Sequence, residues 1–207
     1  MSSLEPVRGW FVARARSLAF GAAIVAIGIL AFHLLRRSAG FWTIDDSAIT
    51  YSAAFELVDH HSLAPYVEGV PIESYSNPLL FFVTAAIKLV APFDPIATHI
   101  YLEAIVFGVL LLLVWLVLRA LANDAVAIVG TLAFGAVELA TPATWVWYGS
   151  GLENVWVSAG LVALVWLSVR TARGTPLAPG WGVLAGAVAL LRPEAPVYVA
   201  AFYVTLV

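Results

Sequence analysis

The chain has 207 residues, 62% hydrophobic and 11% charged, far more apolar than a soluble domain that must cover its surface with charge. Its net charge of −3 includes no basic run, so nucleic acid is set aside as a partner. The absence of cysteine removes disulfides, thiolate metal sites and a cysteine nucleophile.

Residues 17–35 form the first nearly unbroken apolar run. Its roughly 20 residues cross a hydrocarbon core about 30 Å thick at 1.5 Å per residue. Arg8, Arg14 and Arg16 precede it, and Arg36 and Arg37 follow where a signal peptide would carry small residues, so it reads as an uncleaved anchor. The loop 36–94 then holds Asp45, Asp46, Glu56, Asp59, Glu68, Glu73 and Asp94, over half of the 13 acidic residues. Within it, 46–59 places Ala48, Tyr51, Phe55 and Val58 at helical spacing, which predicts a short amphipathic helix on the membrane surface. The stretch 77–91 is apolar, but at about 15 residues, with Lys88 inside and Pro78 and Pro92 around it, it fits an interfacial or re-entrant helix better than a span.

Further apolar runs near 95–118, 125–143, 154–170 and 181–207 bring the total to about five spans. The expected fold class is therefore all-α: a polytopic membrane helical bundle, with amphipathic interfacial helices in the first external loop, forming a single module over 1–207. Because the last run reaches Val207 without a polar flank, the chain reads as the N-terminal part of a longer protein.

Lys and Arg accumulate at the cytoplasmic ends of spans. If 77–91 crossed, Arg119, Arg170 and Arg173 would fall outside together with Arg36 and Arg37. If it stays in the interface, those three join the N-terminal arginines inside, and Arg36, Arg37 and Lys88 remain outside with the acidic loop. The second arrangement obeys the rule. It predicts a multi-pass protein of the cell (inner) membrane with a cytoplasmic N-terminus and an external or periplasmic site loop. Asp45, Asp46, Glu153, Arg192 and Glu194 then share one membrane face.

Several residues in this frame can carry chemistry. Asp45-Asp46 could act as a general base, hold a divalent cation such as Mg or Mn, or cap the helix that follows. Glu73-Ser74-Tyr75-Ser76-Asn77-Pro78 sets an acid and hydrogen-bonding groups before a proline-initiated helix; alone it is an ordinary turn. Glu153 is preceded by Gly149-Ser150-Gly151 and lies near Trp145, Trp147 and Tyr148, like a pocket floor at the membrane interface. In Arg192-Pro193-Glu194, ionisable groups inside an apolar run are functional candidates, or a structural pair facing the bundle interior. Glu103 and Glu138 sit inside spans and could pair across the bundle. His60-His61 lack a third ligand at suitable spacing and read as a solvated loop pair.

Taken in order, the aspartate pair after the first span, then 73–78, then Gly151-Leu152-Glu153-Asn154, then Arg192-Pro193-Glu194 resemble the motifs of the GT-C superfamily of membrane glycosyltransferases. Within it they are most similar to the bacterial, actinobacterial arabinofuranosyltransferase-type branch. The resemblance implies an inverting transfer from a polyprenyl-phosphate-linked sugar to a hydroxyl acceptor on a cell-envelope glycan, lipid or protein, with the lipid bilayer as the remaining partner. By that resemblance Asp45 is the base and Asp46 supports it, with or without a divalent metal. Arg192, with Lys88 as second candidate, stabilises the leaving phosphate. Glu153 and Glu194 orient Arg192 or bind sugar hydroxyls, and Glu73, Tyr75, Ser76 and Asn77 complete the substrate-binding set. The rival readings are a transporter or lipid-translocating protein, with Glu103, Glu138, Arg192 and Glu194 along a path between helices, and a non-catalytic membrane scaffold.

Overall fold

The computed structural model describes residues 5–38, 40, 45–63, 77–91, 94–176 and 178–204. Among these residues there are nine helices and no strand: α1 (Glu5–Ser38), α2 (Asp45–His60), α3 (Pro78–Val90), α4 (Pro95–Leu121), α5 (Asp124–Ala140), α6 (Pro142–Tyr148), α7 (Asn154–Ala172), α8 (Gly180–Ala189) and α9 (Ala195–Val204). Local chemistry explains several of the starts. Pro78, Pro95 and Pro142 each open a helix, where their missing N–H costs nothing. Asn123 caps α5 by accepting from Val126 N at 3.0 Å.

Three helices are long and apolar enough to cross a membrane: Ser17–Ser38, His99–Leu121 and Asn154–Ala172. Leu18, Ile27, Val129 and Leu132 lie exposed on the bundle surface, an outer coat suited to hydrocarbon and not to water. Between α1 and α4 the packing is close because both present glycine. A Cβ on Gly28 would lie 3.2 Å from Gly108 Cα, and one on Gly108 would lie 2.8 Å from the Val25 carbonyl oxygen. Above that contact Phe32 meets Phe107 at 5.1 Å between ring centres.

Two of the five expected spans take a different form. The run 125–143 breaks after Ala140, where α5 and α6 meet at 85°; counted as one bent span, the pair makes a fourth crossing. The cause is Pro142, which lacks an N–H and pushes the residue before it out of the helical region, so Thr141 sits at φ −88, ψ 118. The run 181–207 is not one helix but α8 and α9, ten residues each. Each is about 15 Å long, half of a hydrocarbon core. Trp181 packs on Trp166, Val188 fills the space at Gly160, and Phe202 packs with Leu164 and Leu167. The chain therefore runs back beside α7 along α8, turns at residues 190–194 around Pro193, and returns along α9. Residues 205–207 lie outside the described residues.

Helices α2 and α3 pack on each other through Ala53, Ala54, Phe81 and Ala85. The buried face of α2 differs from the expected Ala48, Tyr51, Phe55 and Val58: it is Ser47, Thr50, Tyr51, Ala53 and Ala54. Two small hydroxyl residues turn inward because α2 lies against polar backbone, as the site explains.

Candidate functional site

After α6 the chain passes through Gly149-Ser150-Gly151, and all three carbonyls of this loop are taken by side chains of α1 and α2. Arg36, at the end of α1 and 1% exposed, donates from Nε to the Gly149 oxygen at 2.5 Å. Ser47 Oγ donates to the Ser150 oxygen at 2.8 Å, and the Tyr51 hydroxyl to the Gly151 oxygen at 3.0 Å. From below, Glu103 of α4 accepts the Gly151 N–H. The loop thus lies between the buried side chains of Arg36 and Glu103, and its peptide groups engage both, which offsets part of the cost of burying them, although Glu103 Oε2 has no hydrogen-bond partner among the described residues. Only glycine suits position 151, at φ +89 and with a Cβ that would sit 2.8 Å from Ser47 Oγ. Burial pushes the Tyr51 phenol well above its usual pKa, and the carboxylates of Glu103 and Glu153 push it further, so it remains a hydrogen-bond donor.

Two residues beyond this loop, at Glu153, begins a polar chain across four elements. Thr50 Oγ1 of α2 donates to Asn77 Oδ1 at 3.0 Å, and Asn77 Nδ2 donates to Glu153 Oε2 at 2.7 Å. The other oxygen of Glu153 lies 3.3 Å from Arg192 Nε, which is 2.7 Å from Glu194 Oε1. Arg192 Nη1 donates to Asn154 Oδ1 at 2.7 Å. The backbone fixes the same meeting point, since Leu79 N at the start of α3 donates to the Leu190 oxygen at 3.0 Å. Beside Arg192 opens a cavity of about 520 Å³, walled by Trp147, Tyr148, Asn154, Ser158, Glu194 and Tyr198 among others. Guanidinium, carboxylates, hydroxyls and exposed aromatic faces in one cavity suit a ligand with an anionic group and a sugar-like or apolar body.

Of the residues expected from the sequence, Asn77, Glu153, Arg192 and Glu194 come together. Asp45 and Asp46 occupy the exposed first turn of α2, and their carboxylates make no hydrogen bond or ion pair among the described residues; the Asp46 carbonyl accepts from Thr50 Oγ1 at 3.2 Å, and their neighbour Ser47 ties that turn to the 149–151 loop. For Mg or Mn they offer a poor ligand set: adjacent helix positions diverge by about 100°, and no cluster of three His, Asp or Glu forms among the described residues. Lys88 is not brought to the site. It pairs with Asp59 and covers the Phe55 ring at 3.6 Å, roughly 16 Å along α3 from Asn77. Glu73, Tyr75 and Ser76 lie outside the described residues. His60 pairs with Glu56 at 2.9 Å, and Glu138 accepts from Thr144 Oγ1 at 2.9 Å.

Sequence reasoning missed Arg36, Ser47, Thr50 and Tyr51 as parts of the site, and it placed Asn154 in a motif without a role of its own. A signal existed: Ser47, Thr50, Tyr51 and Ala54 fall at i, i+3, i+4 and i+7, a small polar stripe fit for contact with backbone. No family model matches the chain, and neither a curated protein nor a solved structure matches it.

Proposed function

We propose that the chain is a membrane glycosyltransferase of the GT-C type, moving a sugar with inversion from a polyprenyl-phosphate donor to a hydroxyl of a cell-envelope glycan, lipid or protein. The observation that carries this reading is the contact chain from Asn77 through Glu153 to Arg192. Three segments far apart in sequence, whose order suggested the resemblance, meet at one end of the bundle, and the helix bearing Asp45 is docked on the same loop. In this reading α1, α4, the α5–α6 pair and α7 cross the membrane, α3 enters it from the site end, and the α8–α9 hairpin rises from the opposite end with its turn at the site. That end faces outward because Arg119, Arg170 and Arg173 lie at the other, where Arg119 reaches Ser17. The N-terminus is then cytoplasmic and the site loop external.

In the reaction, the acceptor hydroxyl oxygen forms a bond to the anomeric carbon as the bond from that carbon to the phosphate oxygen breaks. The hydroxyl proton passes to Asp45, and polyprenyl phosphate departs with the electron pair. Asp46 holds negative charge beside the base. Charge grows on the phosphate as it leaves, so the Arg192 guanidinium, held by Glu153 and Asn154, stabilises the transition state more than the ground state. No step is routed through a metal.

The test is sugar transfer by the purified chain in liposomes, from a labelled polyprenyl-phosphate sugar. Arg192→Lys keeps the charge but loses the planar fork, so both weaker donor binding and slower transfer are expected. Transfer from a water-soluble nucleotide sugar alone, or transfer indifferent to Arg192→Lys, would contradict the reading.

A further inference from the structure

The two carboxylates that face Arg192 are held differently. Glu153 has a side chain 5% exposed and is anchored from behind by Asn77 Nδ2 at 2.7 Å. Glu194 is 48% exposed, and Arg192 is its only partner among the described residues. The Glu194 oxygen at 2.7 Å and the Glu153 oxygen at 3.3 Å both lie off the line of the Arg192 Nε–H, which has charge contacts but no hydrogen bond. The buried Nδ2 of Asn154 also lacks an acceptor among the described residues, although Oδ1 of the same amide is engaged by Arg192. Both under-used donors belong to residues that wall the 520 Å³ cavity.

Unsatisfied donors beside an open cavity favour a ligand rich in acceptor oxygens. Yet one guanidinium between two carboxylates carries a net negative charge, which repels an anion. We propose that Glu194 is a displaceable internal anion: its carboxylate holds Arg192 until the phosphate of an amphiphile enters the cavity, then swings into solvent while Glu153 stays as the fixed counter-ion. The inference rests on the reading of Arg192 as a phosphate-binding residue and adds how access to it is controlled. An exposed ion pair contributes little, so the exchange has a low cost. The difference in burial decides which carboxylate moves. Releasing Glu153 would strand Asn77 and a buried charge, whereas releasing Glu194 strands nothing. The apolar surface of Trp147, Val157, Leu161 and Tyr198 on the cavity wall selects a phosphate carried on a hydrocarbon chain over free phosphate.

Binding of dodecyl phosphate, inorganic phosphate and dodecanol to the full chain in nanodiscs of zwitterionic lipid tests the proposal. Glu194→Gln and Glu194→Asp should both tighten dodecyl phosphate binding by about two- to fivefold, the scale of an exposed ion pair. The aspartate variant keeps the charge but is too short to reach Arg192, so its gain separates contact from field. Dodecanol binding should not change, and inorganic phosphate should bind more weakly than dodecyl phosphate throughout. Dodecyl phosphate binding that both variants leave unchanged or weaken overturns the displacement while leaving Arg192 as its anchor. Inorganic phosphate binding as tightly as dodecyl phosphate overturns the amphiphile. No binding of dodecyl phosphate to any form overturns both the displacement and the phosphate-binding role of Arg192.

Discussion

Gly151 and Tyr51 show how much of the site depends on single atoms. Gly151→Ala must place a Cβ 2.8 Å from Ser47 Oγ at φ +89, adding about 1–2 kcal/mol for the left-handed backbone to the cost of pushing α2 off the loop. Tyr51→Phe removes a 3.0 Å hydrogen bond and leaves the Gly151 carbonyl unpaired, for about 1–3 kcal/mol. Thermal unfolding in detergent should show both losses, with the alanine variant the less stable. The phenol adds a pH signature. Its pKa is raised in the folded state, so its contribution is complete below the free phenol value near 10 and is lost as pH climbs toward the folded value. Wild-type stability should fall in that alkaline range more steeply than that of Tyr51→Phe, and equal slopes would show that the phenol is not buried as described. Glu153 and Arg192 were legible in the sequence because charge in an apolar run stands out. Arg36 was not, since an arginine after a span reads as a flank in water, whereas here it bends inward to a backbone oxygen.

The long helices were legible because unbroken apolar length has one physical meaning in a bilayer, and their ends differ little from the expected limits. The broken ones were not. Apolar composition along 181–207 reports compatibility with lipid, not straightness, and the turn at Pro193 depends on Leu79 and Glu153 meeting the freed backbone and side chain at residues 190–192. Orientation can be checked element by element, because the chain has no native cysteine to interfere. Leu63, just past α2, and Ala122, between α4 and α5, are both exposed. In intact cells Leu63→Cys should react with a membrane-impermeant maleimide, while Ala122→Cys should react only after permeabilisation. Equal labelling of the two before permeabilisation would refute the proposed topology.

At the scale of the whole molecule, the chain is a helical bundle in which five ionisable side chains meet at one end. Arg36, Glu103, Glu153, Arg192 and Glu194 come from α1, α4, the α6–α7 loop and the α8–α9 turn, and α2 closes over them. The order of the motifs in the sequence suggested a shared site, but not which residues would touch; Asn77 as the bridge to Glu153 became visible only with the fold. The central claim is that this end transfers a sugar with Asp45 as the base. The most direct measurement is the rate of transfer from a polyprenyl-phosphate sugar by Asp45→Asn, with donor binding measured alongside. Asparagine keeps size and hydrogen bonding but cannot take the proton, so transfer should fall by roughly 10² to 10⁴ with donor binding and membrane insertion retained. Asparagine is also as good a helix cap as aspartate, so a variant that transfers sugar at the wild-type rate would reduce Asp45 to a cap and contradict the account.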